Sequence, residues 1–245
     1  QLLRAGQHDG LNIYICTVLP NSEMANPAYM KEHGIKYVKT PIFLQHSSPL
    51  TDPVIEYNNI VVETSTLPRE DYKRTFLFCW AVQSFHCLAL TQYLALFLHY
   101  QFGLPYRNFY EELLKFAEAE PRTLLGEQLQ LVANTVNKAV EGGGWDVIIP
   151  QFGNVRWPTE EATFLNLVCD KDRFYREVSH FFRQLLVSQG WRVEEEIVSD
   201  LLQYQRQMII DPFTPETFTM ELAYNFHEYF AGIYEGFLTP LTRRG

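Results

Sequence analysis

The stretch Gly10–Gly34, GLNIYICTVLPNSEMANPAYMKEHG, decides how the first part of this chain is interpreted. Leu11–Leu19 is a short apolar run, Pro20-Asn21 interrupts it, and Ser22 starts a helical pattern that stops at the final glycine. This order predicts a strand, a turn and a helix. An apolar strand of this kind is typical of parallel sheets, yet no series of similar strand–helix units follows. We therefore expect the C-terminal part of a larger α/β enzyme.

Composition and charge narrow the class of protein. The 245 residues are 47% hydrophobic and 15% aromatic, which is enough to form a large core in one or two domains. Twenty basic and 29 acidic residues give a net charge of −9, which argues against a nucleic-acid partner. The four cysteines are widely spaced, so we expect reduced, buried thiols in a cytoplasmic protein; they are Cys16, Cys79, Cys87 and Cys169.

Helical patterns dominate the chain beyond the first unit. An extended run at 36–44 is followed by a loop at 45–59 with turns at Pro49 and Pro53, and by a short strand at Ile60–Thr64. Helices are predicted at 107–118, 124–141, 157–168, 172–188, 193–208 and 226–237, short strands at 145–150 and 218–224, and a turn at 211–215. The sequence thus predicts a mainly α fold with a small α/β part. Its two domains would be a strand–helix unit, residues 1–44, and a helical domain, residues 45–245.

The most apolar segment is Phe76–Leu98, FLFCWAVQSFHCLALTQYLALFL, which contains no charged residue. Its length would span the ~30 Å hydrocarbon layer of a membrane if it formed one helix. Polar residues near its middle would be costly in lipid, however, and Gln83 and His86 fall on one helical face. We therefore predict a single buried core helix with a polar stripe and no membrane partner.

Few residues of the chain have a pattern that indicates chemistry. Gly142–Gly144 follows a helix and precedes a strand, the reverse of the order in phosphate-binding loops, and is best explained as a helix end. The histidines form no metal-ligand pattern, and no catalytic triad or pair of carboxylates stands out, so neither a catalytic residue nor a metal site is assigned. His86, in the apolar helix, and Glu63, in the predicted strand, are the strongest single candidates.

Two segments carry a resemblance to a known family. Residues 10–35, GLNIYICTVLPNSEMANPAYMKEHGI, and residues 58–114, which begin NNIVVETSTLPREDYKRTFLFCWAVQSFHC, resemble the C-terminal part of cobalamin-dependent radical S-adenosylmethionine (SAM) enzymes. In that family a cobalamin-binding domain and a radical SAM barrel precede a largely helical domain. The resemblance implies that Leu11–Gly34 is the last strand and helix of the barrel.

The resemblance also implies cofactors, partners and site residues. The full-length enzyme would use SAM, a [4Fe-4S] cluster and cobalamin for methyl transfer or related radical chemistry on a small-molecule substrate. The cysteine motif CxxxCxxC and a cobalamin-binding segment are absent from this sequence, so missing N-terminal domains of the same polypeptide would hold the cofactors. Leu19, Pro20 and Asn21 would lie at the barrel mouth beside SAM. Glu63, Gln83, His86 and Tyr93 would line the substrate pocket, and this chain alone would be inactive.

Two alternatives remain open at this stage. The chain could be an autonomous helical binding or scaffold module, because its phenylalanine and tyrosine residues suit an interface as well as a core. It could also be anchored in a membrane through Phe76–Leu98. A fragment of an enzyme would expose the apolar face of Leu11–Leu19, whereas an autonomous module would unfold cooperatively as a soluble monomer.

Overall fold

The computed structural model describes residues 1–8, 10, 11, 13–42, 44–48, 54–210 and 219–245, and these residues are mainly helical, as expected. They form two compact units. Unit 1 contains Gln1–Leu11, Ala81–Gly126 and Phe164–Gly245, and unit 2 contains Asn12–Trp80 and Glu127–Thr163. The helices are α1 (Pro27–His33), α2 (Arg69–Ala81), α3 (Gln92–Phe102), α4 (Tyr106–Ala119), α5 (Leu124–Ala139), α6 (Thr159–Cys169), α7 (Lys171–Ser188), α8 (Glu195–Gln207) and α9 (Phe226–Glu235).

Two small antiparallel sheets belong to unit 2. Strands β1 (Lys36–Pro41) and β2 (Tyr57–Glu63) pair with Val38 opposite Ile60, and strands β3 (Val147–Ile148) and β4 (Arg156–Trp157) form the second pair. The interior side chains of β2 are fully buried, as their apolar run predicts. The short strands expected near 60–64 and 145–150 are therefore confirmed, and the run at 36–44, which was expected to be extended, contains β1.

The opening segment differs from the strand that its sequence predicts. Within Leu11–Leu19, only the part around Thr17 runs beside β2, antiparallel to it, through a bridge from Thr17 to Ile60. The Val18 amide donates to the Asn59 carbonyl at 2.8 Å, and Val18 is the buried side chain of this part. Ile13, Tyr14 and Leu19 are 40%, 84% and 61% exposed. The described residues of this run thus make one short antiparallel contact in place of a full strand.

The turn and helix after this segment follow their sequence signals. A short 3₁₀ turn at Glu23–Ala25 precedes α1, and the Asn26 side chain accepts a hydrogen bond from the Ala28 amide at the start of the helix. Pro27 occupies the first helical position, where its missing N–H costs nothing. Gly34 ends the helix with φ +59°, and a Cβ there would lie 3.0 Å from the Ser65 amide nitrogen, so glycine is required.

The apolar segment Phe76–Leu98 is not the single helix predicted from its sequence. Helix α2 continues into a π-helical turn at Val82–Cys87, and residues 88–91 then interrupt the helical structure. The axis of α3 is bent by 91° from the axis of the preceding helix, Arg69–Cys87. Ala89 has φ +61°, a left-handed conformation that is rare for a residue with a Cβ. In the described residues, no single helix is long and apolar enough to span a membrane, and these two helices meet that test only when taken together.

The helices of unit 1 pack around an aromatic core. Phe85, Phe109, Phe174, Phe182 and Phe230 are fully buried there. Rings from different helices meet edge to face, as Tyr93 of α3 does with Phe230 of α9, at 4.8 Å between centroids. Helices α4, α7 and α8 each turn an apolar stripe towards this core. Their observed bounds agree with the bounds predicted from the sequence to within a few residues.

Three smaller expectations have other outcomes. In the described residues no cysteine forms a disulfide, and Cys16 and Cys169 are exposed and Cys79 and Cys87 half-buried, so the expectation of buried thiols is wrong. Residues 219–224 form no strand and contribute one bridge, from Tyr224 to Arg243. The predicted turns at Pro49, Pro53 and 211–215 lie outside the described residues, as does Phe218.

Candidate functional site

A chain of hydrogen-bonded side chains lies buried in unit 1 and includes the predicted residue His86. Its Nε2 atom is 3.0 Å from Nδ1 of His8, and its Nδ1 atom is 2.7 Å from the hydroxyl oxygen of Tyr110. All three side chains are almost completely shielded from solvent. Three elements supply them: the N-terminal segment, the π-helical turn and α4. The folded chain therefore assembles a polar group from positions as far apart as residues 8 and 110.

Burial sets the protonation of this group. It lowers the pKa of His86 to about 3, with a further lowering from His8, so His86 is neutral at pH 7. Burial also raises the pKa of the Tyr110 hydroxyl well above its ordinary value. A neutral imidazole has one N–H donor and one acceptor nitrogen. The three groups can therefore be linked in either direction: Tyr110 donates to His86, which donates to His8, or both bonds reverse.

The break that separates the π-helical turn from α3 is held by distant side chains. Gln205 of α8 donates from Nε2 to the Ala89 carbonyl at 2.8 Å and accepts from the Tyr93 amide at Oε1 at 2.9 Å. The Tyr175 hydroxyl of α7 donates to the Leu90 carbonyl at 3.2 Å. A break inside a core leaves backbone groups without helical partners, and these side chains replace those partners.

The other predicted pocket residues in unit 1 lie near this break. Tyr93 lies in the first turn of α3, is buried, and packs its ring edge to face against Tyr204 and Phe230. Gln83 lies in the π-helical turn with a partly exposed side chain, and its carbonyl accepts a hydrogen bond from the Leu88 amide at 2.9 Å. Of the three, Gln83 is therefore the least buried residue.

The predicted residues in unit 2 belong to different surroundings. The Leu19 carbonyl accepts hydrogen bonds from the amide and the hydroxyl of Ser22, at 3.0 and 2.8 Å, which closes a tight turn. Pro20 and Asn21 are exposed in that turn. Glu63, at the end of β2, forms an ion pair with Lys36 of β1 and is partly exposed. In this unit the structure therefore gives an exposed turn and a paired carboxylate.

A cleft is also present in unit 1, between α4, the connection that follows it and α7. Its volume is about 320 Å³, and its lining includes Arg173, Arg176, Glu177 and His180. Arg173 is hydrogen-bonded to Glu177, and Glu177 also accepts from the Leu124 amide at the start of α5. Two of the charged groups therefore hold the helices together, and the cleft contains none of the predicted site residues.

The iron–sulfur cluster that the resemblance implies needs metal ligands, so the positions of the possible ligand side chains in this chain are relevant. Within the described ranges, no three His, Cys, Asp or Glu side chains are grouped so that they could hold a metal ion. Cys16 and Cys79 belong to unit 2, whereas Cys87 and Cys169 belong to unit 1. These residues do not fit the ligand set of an iron–sulfur cluster, which needs thiolates grouped around the metal.

Sequence reasoning missed three buried polar residues of unit 1. His8, Tyr110 and Gln205 were not singled out, and His8 and Tyr110 carry no sequence signal that would link them to His86. Gln205 does carry one. It follows Val198 by seven residues and Leu201 by four, so a polar side chain falls on the apolar face of α8. A glutamine at such a position needs buried hydrogen-bond partners.

The sequence comparisons extend the resemblance. No family model matches the chain. It is 27% identical over 261 residues to the cobalamin-dependent radical SAM methyltransferase TokK of Streptomyces tokunonensis, covering 98% of this chain and 36% of that protein. It is 24% identical over 231 residues to the 2-(S-pantetheinyl)-carbapenam-3-carboxylate methyltransferase of Streptantibioticus cattleyicolor, covering 86% of this chain and 32% of that protein.

The predicted similarity to cobalamin-dependent radical SAM enzymes is thereby confirmed. The chain spans about a third of the length of the curated relatives that it matches.

Proposed function

We propose that this chain is the C-terminal part of a cobalamin-dependent radical SAM enzyme that transfers a methyl group, or carries out related radical chemistry, on a small molecule. The match to such a methyltransferase over 98% of the chain carries the proposal. The mainly helical fold with a small strand–helix part agrees with it. In this proposal the preceding domains of the same polypeptide hold the cofactors, and the chain by itself is inactive.

The cofactors supply the redox and methyl-transfer chemistry when they are bound. The described residues of this chain offer no metal-ligand group, so their contribution is to binding and orientation. Residues 1–44 would contribute the end of the barrel, with Leu19, Pro20 and Asn21 at its mouth beside SAM. The exposure of Ile13, Tyr14 and Leu19 supports this role, because apolar residues in a strand-like segment are normally covered by neighbouring structure.

The helical domain, residues 45–245, would shape the substrate pocket. Gln83 is half-buried, and its amide can both donate and accept, which suits a direct hydrogen bond to a small molecule. His86 and Tyr93 are buried, so we assign them the role of holding the π-helical turn and α3 in place behind Gln83. For Glu63, whose carboxylate forms an ion pair with Lys36, the role in the pocket is proposed from the resemblance alone.

The decisive test uses the longer polypeptide encoded by the gene. The enzyme, purified with its cluster and cobalamin, is assayed for transfer of an isotope-labelled methyl group from SAM to candidate small molecules. Gln83→Ala should lower kcat/KM by about tenfold, since one substrate hydrogen bond is lost, while Gln203→Ala, an exposed glutamine on α8, should leave it unchanged. The proposal would be refuted if the upstream coding sequence encoded neither a three-cysteine motif nor a cobalamin domain.

The autonomous binding module is the second candidate, and the aromatic core of unit 1 favours it. A unit with its own core can fold without further chain. The isolated chain would then be a monomer that unfolds in one cooperative step and binds little hydrophobic dye. Strong dye binding together with aggregation would favour the enzyme fragment.

A further inference from the structure

The cleft of unit 1 has one wall that is fixed by hydrogen bonds. The Arg173 guanidinium donates to the Glu177 carboxylate at 3.0 Å and to the Arg122 carbonyl at 2.7 Å. The other carboxylate oxygen of Glu177 accepts from the Leu124 amide at 2.8 Å. Two of these bonds join α7 to the start of α5 and to the chain before it. Because the bonds involve charged groups, they are among the stronger kinds of hydrogen bond, and the wall is preorganised.

Two further charged side chains line the same cleft. Arg176 lies in α7, Glu120 directly follows the last residue of α4, and both residues are exposed. Within the part of the chain that the structure describes, neither side chain forms an ion pair or a hydrogen bond. The cleft therefore presents one positive and one negative charge that are not paired with each other.

The lining of the cleft also includes two aromatic rings. Phe116 of α4 and His180 of α7 meet edge to face, with 6.0 Å between their centroids. Such rings provide contact area for an apolar group. The cleft volume of about 320 Å³ is at the small end of the range for ligand pockets, so it suits a small molecule.

We propose that this cleft binds a small zwitterion, a molecule whose ammonium and carboxylate groups are joined by a short apolar chain. Arg176 binds the carboxylate, since a guanidinium can donate two parallel hydrogen bonds to it. Glu120 binds the ammonium, and the apolar chain contacts the rings of Phe116 and His180. The proposal concerns this chain alone and does not depend on the enzyme activity proposed above.

The charges of the lining favour a zwitterion over a ligand with a single charge. The Arg173–Glu177 pair is already neutral as a whole, so Arg176 and Glu120 decide the preference. A simple anion would be attracted by Arg176 but repelled by Glu120, and a simple cation would meet the reverse. A molecule with both charges gains from both residues.

Ligand-observed saturation-transfer NMR with matched probes measures this preference. The zwitterions are γ-aminobutyric acid and ε-aminocaproic acid. Each is compared with the acid and the amine of the same length, which are butyric acid with butylamine and caproic acid with hexylamine. One exposed ion pair changes the affinity by about threefold to fivefold, so at least one zwitterion should bind more tightly than its acid and its amine by about that factor. Added salt should reduce the difference.

Charge-removing variants assign each end of the ligand. Arg176→Gln should weaken binding of the zwitterion and the acid by about threefold to fivefold and should not weaken binding of the amine. Glu120→Gln should weaken the zwitterion and the amine by the same factor and should not weaken the acid. Arg192→Gln and Glu118→Gln remove exposed charges outside the cleft lining, so they should follow the wild type.

Three results would overturn the zwitterion site. The first is no saturable binding of either zwitterion. The second is an acid or an amine that binds as tightly as the zwitterion at both lengths, since the cleft would then recognise a single charge. The third is equal weakening by the cleft variants and their controls, which would indicate attraction to the surface as a whole. Because the probe is observed and not the protein, the same measurement applies to the longer polypeptide if the chain alone aggregates.

Discussion

Unit 1 and unit 2 both expose some large apolar side chains, but many of those in unit 2 are concentrated in its first part. Large side chains fully buried in unit 1 include Tyr110, Phe174, Phe182 and Phe230, whereas in unit 2 Trp80 stands out, with its Nε1 donating to Thr163. Unit 2 instead exposes large apolar side chains along its first part, and these are Ile13, Tyr14, Leu19, Tyr37, Ile42, Leu44, Val54, Ile55 and Tyr57. The comparison indicates that unit 1 has its own source of stability, while unit 2 carries surface that suits further covering structure.

The largest effect should come from the core of unit 1. Phe182→Ala removes a fully buried ring from α7, so we expect a loss of about 3–5 kcal/mol in the free energy of unfolding. Val187→Ala, on the same helix with a side chain 80% exposed, should change it by less than about 0.5 kcal/mol. Urea unfolding measures both. Similar small losses for the two variants would break the comparison between the units.

A smaller effect is expected at the side chain that holds the break. Gln205→Ala removes the hydrogen bonds to the Ala89 carbonyl and from the Tyr93 amide, at a cost of about 2–4 kcal/mol in unfolding free energy. Gln203→Ala, exposed on the same helix, serves as the control. If Gln205→Ala were as stable as the control, the buried polar contacts would not contribute to the stability of unit 1.

Next comes a substitution that should stabilise the chain. Ala89→Gly places glycine at φ +61°, where it avoids the Cβ clash, and should raise the unfolding free energy by about 1 kcal/mol. Ala95→Gly, inside α3, should lower it by at least about 1 kcal/mol. Thermal unfolding of the two variants should therefore shift in opposite directions. Destabilisation by both would indicate that the segment is one continuous helix.

The smallest change in stability is expected at the surface of unit 2. Tyr14→Ser should alter the unfolding free energy by less than about 0.5 kcal/mol, because the side chain is 84% exposed. It should nevertheless reduce the fluorescence of a bound hydrophobic dye, whereas Val187→Ser in unit 1 should not. If Tyr14→Ser and Val187→Ser bound the same amount of dye, the exposed apolar surfaces of unit 2 and unit 1 would not differ in this respect.

Local sequence patterns predicted most helices, because an apolar repeat and a capping residue involve only residues that are close in sequence. The apolar stripe of α7 repeats every three to four residues, and Asp170 caps its start by accepting from the Arg173 amide. The same method predicted one helix for Phe76–Leu98, since the break at 88–91 contains neither glycine nor proline. That break depends on Gln205 and Tyr175, which are far away in sequence.

The site shows the same limit. The sequence indicated that His86 was unusual, because a histidine in a run without charges needs a partner. It did not indicate His8, 78 residues earlier, or Tyr110. For Leu19, Pro20, Asn21, Glu63, Gln83 and Tyr93, the assigned roles remain predictions that the proposed assays test.

The sequence by itself determined the mainly helical class, the positions of most elements and the resemblance to radical SAM enzymes, because periodicity, capping residues and short motifs are properties of neighbouring residues. Tertiary structure alone decided where the apolar segment turns, which histidines meet and which apolar residues stay exposed. Those outcomes depend on contacts between distant residues, where the burial of one group sets the conformation or the charge of another.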